Sequence, residues 1–451
     1  MKIPHYEPFC LLFGDLAALY LGLWLTLAVR YLHVPSTDVW VQHAVPFSLL
    51  FLVTICIYFI TGLYDQHTLL VRQRLPSLVG WGQLISVLVA AFFFFSVPSF
   101  GIAPKTNLLI FLVLSSVLVV SWRIMWARVS GFGKRRNALM LGVGSELDEL
   151  AAEIDQNPRY GLHVAYRVAP EDVLVSEELR TQLSAFVTKR SISTIIVDMH
   201  DAQITRIMPV LYSLLFSHPH VIVLDAMNLY ESIFRRIPVS LLEDVWFVQY
   251  ASRKAGIVYR VFHRIVDFVM GVVVGVVWLL TAPVVWVALR YDDRGPLYIE
   301  QERLGEHDRP ISIKKYRTMS GSDSGDHVLK SSLRVTRVGA VLRPTRIDEL
   351  PQCLSLLRGD LSFVGPRPEL PALAQLYADT IPYYRARHLI RPGLTGWAQL
   401  YHDAHPHHGA NIEETRNKLS YDLYYLKHRS VLLDLEIIMK TIKKIVTRSG
   451  A

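Results

Sequence analysis

Hydrophobic positions along this chain come in two textures. Between Pro8 and Trp126 they form four long stretches, Pro8 to Tyr31, Ala44 to Tyr64, Leu78 to Pro98 and Asn107 to Trp126. Each is close to the ~20 residues that cross a bilayer core, so the pattern predicts four spanning helices. A buried four-helix core of a soluble protein would need polar faces at helical spacing. From Asn137 the runs become short: ALMLGVG, HVAYRVA, STIIVDM and HVIVLDAM, separated by segments rich in Glu, Gln and Arg. That alternation predicts a small α/β domain with a parallel sheet.

A further apolar run, Ile265 to Leu289, follows the basic amphipathic entry ASRKAGIVYRVFHR with Arg253, Lys254, Arg260, His263 and Arg264. Such an entry belongs near anionic lipid. Pro283 interrupts the run, removing one backbone hydrogen bond and clashing with the preceding turn, so a kink is expected there. Arg260 and Arg264 flank one end and Arg290 and Arg294 the other, which gives no charge bias for crossing. A re-entrant helix broken at Pro283 fits this better than a fifth span. Three domains follow: residues 1–127, four transmembrane helices; 128–250, a degenerate Rossmann-like domain; 251–451, the re-entrant helix and a catalytic domain.

Positive residues orient the first four helices. Arg72 and Arg74 lie in the second connection, and Arg123, Arg128, Lys134, Arg135 and Arg136 follow the fourth span, whereas Leu32 to His43 has no Lys or Arg. Both ends of the bundle are therefore expected in the cytoplasm, with Lys105 a minor exception. The N-terminal segment has no small-residue cleavage site and reads as an anchor, not a signal peptide. Across 451 residues, 51% hydrophobic content is too apolar for an ordinary soluble enzyme, and a net charge of +8 suits anionic partners. The three cysteines, Cys10, Cys56 and Cys353, are widely spaced and suggest neither disulfides nor a zinc site.

Candidate chemistry concentrates in the last third. KKYRTM (Lys314 to Met319), LRPTRIDELPQ (Leu342 to Gln352), GDLSFVGPRPE (Gly359 to Glu369) and RHLIRPGLTGWAQ (Arg387 to Gln399) place cations among Gly and Pro turns around one carboxylate pair, Asp348 and Glu349. As the first turn of a helix capped by Thr345, the pair has an ordinary explanation. Yet Arg343, Arg346, Arg358 and Arg367 crowd it in sequence, which favours an anionic guest. A carboxylate attacks phosphorus once cations neutralise the phosphoryl oxygens, and a second can hold a hard divalent cation. Lys315 and Arg317 alternate with Tyr316, so on a strand they would share a face. Gly365-Pro366 and Pro392-Gly393 are turns that aim Arg367 and Arg391, with Arg387 nearby. Trp397 reads as core, and the histidines of HDAHPHHG (His402, His405, His407, His408) as a solvated loop. Gly142-Val143-Gly144 begins like a dinucleotide fingerprint but lacks the third glycine, so it reads as a tight strand-to-helix turn.

With these motifs in view, Tyr259 to Thr447 resembles the bacterial sugar transferase family, the monotopic phosphoglycosyltransferases. The resemblance also includes LTAPVVW, RGPLYIEQERLG with Gly295, Pro296, Gln301, Arg303 and Gly305, and the closing YDLYYLKHRSVLLDLEIIMKTI. The preceding helices and α/β domain resemble the large subgroup, the polyprenyl-phosphate hexose-1-phosphate transferases. The family implies a re-entrant helix at Pro283 and a catalytic domain on the cytoplasmic face of the bacterial inner membrane. Crossing would instead export everything from Tyr291 onward, away from cytoplasmic nucleotides. Asp348 matches the nucleophile that attacks a UDP-sugar, releasing UMP and leaving a phosphosugar on the enzyme, from which polyprenyl (undecaprenyl) phosphate takes it. Glu349 matches the partner carboxylate, Mg²⁺ is the implied cofactor at the pair, and Lys315, Arg317, Arg303, Arg367, Arg387 and Arg391 match phosphate-handling positions. The product would start exopolysaccharide or other lipid-linked glycan assembly, with glucose or galactose the favoured sugars. Partners are the lipid bilayer and these substrates, not nucleic acid, and a homodimer is left open.

Departures from the family pattern are Pro344 and Arg346, where Arg and Ser or Asn are commoner, and Ala282 in place of Ser, with Thr281 before it. They bear on substrate preference and on the backbone bond freed by Pro283. Two other classes compete. An NAD-dependent nucleotide-sugar dehydratase or epimerase would need a full glycine fingerprint and Tyr-x-x-x-Lys, found here only at Tyr250 and Lys254. A non-enzymatic membrane scaffold would use the arginines for headgroups alone. A conventional metal-dependent glycosyltransferase would show Asp-x-Asp, which the chain lacks.

Overall fold

The computed structural model describes residues 7–61, 63–64, 75–96, 104–130, 135–175, 187–199, 201–242, 244–250, 256–292, 295–320, 334–401 and 411–447. Contacts divide the chain into two units, Met1–Arg136 with Ile154–His163, and Asn137–Glu153 with Val164–Ala451. Arg72, Arg74, Lys134, Arg253, Lys254, Arg294 and the histidines of HDAHPHHG lie outside the described residues.

The first unit holds α1 (Glu7–Tyr31), α2 (Thr37–Ile60), α3 (Leu75–Ser96) and α4 (Pro104–Ser130). Cys10–Tyr31, Thr37–Phe59 and Asn107–Trp126 are long and apolar enough to cross a membrane, and α3 adds the shorter apolar stretch Val79–Phe94. Helix α2 starts earlier than its apolar stretch because Ser36 caps it, accepting from the Val39 N–H at 3.5 Å. Phe47 packs on Phe94 and Phe111 with ring centroids 5.3 and 5.6 Å apart, around Leu19, Leu23 and Leu27. Glycine lets α1 approach α4, since a Cβ at Gly22 would sit 3.3 Å from the Ser115 Cα.

One expectation changes here. Arg123 does not lie at the surface after the fourth span; it is 2% exposed inside the bundle. Its Nε and Nη2 donate to Asp15 at 3.1 and 2.5 Å, and Nη1 donates to the Leu63 carbonyl at 2.6 Å. Tyr64 donates to the same carboxylate at 2.7 Å. A buried charge must be paired, so Arg123 spends its charge on Asp15 and not on lipid headgroups.

In the second unit the expected strands form a sheet of order β2-β1-β3-β4, from β1 (Arg136–Leu141), β2 (Leu162–Val168), β3 (Ile192–Val197) and β4 (Ile222–Asp225). The β1–β3 and β3–β4 pairs are parallel. Helices α5 (Ser145–Gln156), α6 (Pro170–Val175), α7 (Ala202–Ser217), α8 (Ala226–Phe234) and α9 (Asp244–Tyr250) accompany it. Strands and helices alternate because short apolar runs bounded by turn residues alternate with longer polar helical stretches.

Helix α10 (Ile257–Asp292) is 36 residues long and runs on through Pro283. At 1.5 Å per residue that is about 54 Å, well beyond the ~30 Å hydrocarbon core. Its apolar run meets the length and composition needed to cross a membrane. The Thr281 hydroxyl donates to the Val277 carbonyl at 2.8 Å and to the Trp278 carbonyl at 3.2 Å, not to the Leu279 carbonyl freed by the proline. After it come the antiparallel hairpin β5 (Tyr298–Leu304) and β6 (Pro310–Tyr316), the short pair β7 (Met319–Ser320) and β8 (Arg334–Val335), and α11 (Arg337–Leu342). A 3₁₀ helix, Ile347–Gln352, runs directly into α12 (Cys353–Arg358). Beyond it lie β9 (Ser362–Val364), α13 (Pro371–Thr380), β10 (Gly393–Thr395), α14 (Trp397–Tyr401), α15 (Ile412–His428) and α16 (Val431–Thr447).

Candidate active site

The hairpin sets out the first cations. Its register pairs Ile299 with Lys315, Gln301 with Ile313 and Arg303 with Ile311. Directly opposed residues share a face, so Gln301, Arg303 and Lys315 project together. Arg303 Nη2 donates to the Gln301 amide oxygen at 2.6 Å, which steadies the guanidinium. Strand β6 packs beside the 3₁₀ helix, and Lys315 Nζ reaches Glu349 Oε1 at 3.1 Å.

A second cation reaches the same oxygen. Arg367 Nη2 donates to Glu349 Oε1 at 3.1 Å from the turn after β9. That turn is held by glycines. Gly365 N–H donates to the Thr395 carbonyl and Gly393 N–H to the Pro366 carbonyl, both at 2.8 Å. A Cβ on Gly365 would meet the Arg391 carbonyl oxygen at 2.5 Å, and one on Gly393 would meet Gly365 N at 2.1 Å. The two Gly-Pro motifs are thus one interlocked structure whose product is the fixed direction of Arg367.

Within this frame the two carboxylates behave oppositely. Burial opposes ionisation of Glu349, but Lys315, Arg367 and Arg346 outweigh it and hold its carboxyl well below the usual carboxylate range. Asp348 is pushed up to about 6, by burial first and then by the neighbouring Glu349 charge, with Lys315 and Arg343 opposing. Among the described residues no side chain hydrogen-bonds its carboxylate. Burial lowers the Lys315 ammonium, as do Arg367 and Arg303, while Glu349 opposes them. Cations that repel one another across a half-buried space favour an anionic guest. Arg346 itself stands at φ 53°, a left-handed conformation that costs a residue with a Cβ of order 1 kcal/mol and that Asn tolerates better.

The remaining expected residues are placed differently. Lys315 and Arg317 are held by different partners: the strand ends at Tyr316, and Arg317 Nε donates to the Met319 carbonyl at 3.1 Å. Its guanidinium lies on Gly295, where a Cβ would come within 1.4 Å of Nη1. Arg387 is 5% exposed, donating to Tyr384 Oη at 2.6 Å and to the Arg367 carbonyl at 3.1 Å, with Asp422 at 2.9 Å. It braces the Arg367 turn from behind. Arg391 is half-exposed and pairs with Glu306 at 3.4 Å. Trp397 is core, 1% exposed, with its Nε1–H donating to the Arg235 carbonyl at 2.9 Å. Pro283 lies on α10, outside this cluster of bonds.

The Gly142-Val143-Gly144 turn also finds its explanation. A Cβ on Gly142 would meet Leu147 Cδ1 at 2.6 Å, and Asp198 and the first-turn Glu146 and Asp148 make the turn acidic. Pyrophosphate would be repelled there. Glu146 instead accepts from Ser240 N–H at 3.3 Å, and Glu149 pairs with Arg236 at 2.5 Å and accepts from Tyr230 at 2.7 Å. Tyr250, the tyrosine of the dehydratase alternative, lies under Lys427 Nζ, 4.3 Å from its ring centroid.

Residues 258–448 match the bacterial sugar transferase family. Over 168 residues the chain is 38% identical to the UDP-N-acetylgalactosamine-undecaprenyl-phosphate N-acetylgalactosaminephosphotransferase of Aeromonas hydrophila, covering 37% of this chain and 39% of that one. It is 35% identical over 190 residues to the UDP-glucose:undecaprenyl-phosphate glucose-1-phosphate transferase of Klebsiella pneumoniae, covering 41% and 40%. With the exopolysaccharide production protein PSS of Rhizobium leguminosarum bv. phaseoli it shares 37% identity over 181 residues, 38% of this chain and 89% of the relative. The chain therefore belongs to the bacterial sugar transferase family. The match spans about two fifths of the length of the first two relatives.

Proposed function

We propose that this protein transfers a hexose-1-phosphate from a UDP-sugar to undecaprenyl phosphate through an intermediate on Asp348. The observation that carries the reading is the division of labour between the carboxylates. Glu349 is held ionised by Lys315 and Arg367, while among the described residues no side chain hydrogen-bonds the Asp348 carboxylate. An Asp348 oxygen attacks the β-phosphorus, and the bond from that phosphorus to the bridging oxygen breaks. UMP leaves with that oxygen. An oxygen of undecaprenyl phosphate then attacks the same phosphorus, and the Asp348 oxygen departs as carboxylate. Neither step consumes a proton, and each exchanges one activated phosphate for another, so positioning and charge neutralisation carry the catalysis. Lys315, Arg303 and Arg367 would hold the phosphoryl oxygens.

Mg²⁺ fits the donor set. The carboxylates at the cation cluster are Asp348 and Glu349, whose Oε1 is taken by Lys315 and Arg367, so Asp348 and Glu349 Oε2 would hold the ion. One or two carboxylates completed by substrate phosphate and water is the usual magnesium arrangement. When bound, the ion would neutralise phosphate charge.

Support for a course of α10 that does not cross the bilayer comes from its two ends. Near the start, Arg264 and Asp267 bond to α12 and β9. Near the end, Val285 and Leu289 pack with Tyr316 and Leu342, and Asp292 accepts from the Val338 N–H at 2.7 Å. A spanning helix would put its ends on opposite sides of the bilayer, yet both bind one catalytic body. Its other faces expose Phe268, Val272, Val276, Leu280, Val284 and Trp286, surface suited to lipid. The catalytic body would lie on the cytoplasmic face of the bacterial inner membrane, with products feeding exopolysaccharide or related glycan assembly. The α/β sheet, with its order reversing between β1 and β3, is Rossmann-like in plan, and its acidic turn suits a docking role.

The test is UMP release from a panel of UDP-sugars, with Mg²⁺ and undecaprenyl phosphate, by the detergent-solubilised chain. Formation that is lost in Asp348→Asn supports the reading. A folded chain that releases no UMP from any donor sinks it.

A further inference from the structure

The apolar helix α10 carries a polar and glycine stripe, Arg264, Asp267, Gly271 and Gly275, at the three- and four-residue spacing of one helix face. Arg264 donates from Nη1 to the Leu356 carbonyl at 3.0 Å and from Nη2 to the Leu357 carbonyl at 2.9 Å. These carbonyls lie in the last turn of α12, where a cationic fork is favoured. Gly359 leaves room for the fork: its φ is 91°, and a Cβ there would stand 3.2 Å from Arg264 Nη1. A Cβ on Gly271 would meet Leu357 Cδ2 at 2.9 Å, and one on Gly275 would meet Cys353 Sγ at 3.9 Å, so α12 lies directly against the stripe. Helix α12 continues the 3₁₀ helix that begins with Ile347, Asp348 and Glu349. Arg264 therefore grips one end of a helical rod whose other end carries the carboxylate pair.

Asp267 grips the second loop. It is fully buried, and its Oδ1 accepts from Ser362 Oγ and from the Phe363 N–H, both at 2.7 Å. His263 reinforces the contact, with Nε2 at 2.6 Å from Ser362 Oγ and Nδ1 at 2.8 Å from Asp434 Oδ2. Tyr425 donates to Asp434 Oδ1 at 2.8 Å, which ties the chain of bonds to α15 and α16. From Phe363 the backbone runs through Gly365-Pro366 to Arg367, the arginine on Glu349.

We propose that Arg264 and Asp267 are positioning residues for the transfer reaction, using α10 as the common reference that holds the carboxylate helix and the arginine turn in register. The proposal rests on the transferase reading above. Neither residue bonds to the cluster directly; each acts through the element it holds. Displacement of reacting groups by about 1 Å can cost about a hundredfold in rate, so even partial slippage is readable.

The experiment compares the full-length detergent-solubilised chain with Arg264→Met, Arg264→Lys, Asp267→Ala and Asp267→Asn. It measures UMP formation and amide hydrogen exchange, with rates normalised to folded protein. Arg264→Met is expected to lower kcat at least about tenfold while donor KM stays within about twofold, because the carboxylates move and the phosphate cations do not. Asp267→Ala is expected to raise donor KM about tenfold, because Arg367 loses its direction. Arg264→Lys and Asp267→Asn keep a donor and an acceptor and should recover most of each loss. Exchange should quicken in 347–358 for Arg264→Met and in 362–367 for Asp267→Ala, each without the other. If Asp267→Ala does not fold, Ser362→Ala removes one donor to Asp267 and must raise KM in the same direction. Unaltered kinetics per folded molecule, or losses in both variants without the KM and kcat split, overturn the proposal. If the unaltered chain forms no UMP from any donor, the transferase reading falls, and the exchange pattern alone decides whether the two residues hold these segments.

Discussion

The pH dependence of the first half-reaction is the sharpest consequence of the site's electrostatics. In the proposed reaction Asp348 would attack only as the carboxylate, and burial together with the Glu349 charge raises its carboxyl from 3.8 to about 6. At pH 8 nearly every carboxyl is ionised; at pH 5, one unit below that value, about one in ten is. Donor-side kcat/KM should therefore hold a plateau above pH 7 and fall about tenfold by pH 5, with a midpoint near 6. Replacing Glu349 with Gln removes a like charge, so the acid limb should move to lower pH even as the plateau drops. Glu349 cannot be the source of the limb, because its own carboxyl is held well below the usual range. The assay is initial-rate UMP release at subsaturating donor from pH 5 to 8.5, with intrinsic fluorescence confirming a folded chain at each pH. A profile flat down to pH 5, or a limb in Glu349→Gln displaced upward, would rule out Asp348 as the titrating group.

Asp348→Asn should stabilise the protein while it abolishes transfer. A folded-state value raised from 3.8 to about 6 means the folded state holds its proton more tightly, so this group's penalty grows as pH rises through that window and is complete above it. At 1.36 kcal/mol per unit the limit is about 3 kcal/mol, or about 1–2 kcal/mol after solvent screening, visible as a higher melting temperature at pH 8 and little change at pH 4. Asp15→Ala should leave Arg123 buried without its carboxylate and cost about 3–5 kcal/mol, read as loss of folded protein in detergent, whereas the paired change of Asp15 and Arg123 to apolar residues should recover much of it.

What could be read from the chain beforehand divides along a physical line. Helices α1 to α4 and strands β1 to β4 follow from local patterning, since a 20-residue apolar run and a short β-branched run each have one favourable use. The carboxylate pair and its cations were legible because Gly and Pro turns mark where a chain stiffens around a site. Partner choice was not legible. Arg123 and Asp15 stand 108 positions apart, so a residue that counts as surface charge in sequence becomes an internal ion pair. Arg387 matches a phosphate-handling position by resemblance, and no spacing in the chain announces its partners Tyr384, Asp422 and the Arg367 carbonyl. Lys315 and Arg317 share a strand period, but β6 ends between them. The roles of Arg264 and Asp267 left one trace: two charged residues within an apolar helix, where an unpaired charge is costly. Only the fold supplied their partners, 92 and 95 positions away.

The proposed mechanism turns on a covalent bond between Asp348 and the sugar phosphate. The most direct measurement mixes the purified chain with a UDP-sugar and no lipid acceptor, quenches in acid, and analyses both released UMP and peptides spanning Ile347–Arg358 by mass spectrometry. The expected result is a burst of at most one UMP per chain, a sugar-phosphate adduct on Asp348 that disappears when undecaprenyl phosphate is added, and neither signal in Asp348→Asn. UMP formed only when donor and acceptor are present together, with no adduct on that peptide and transfer surviving in Asp348→Asn, would contradict it.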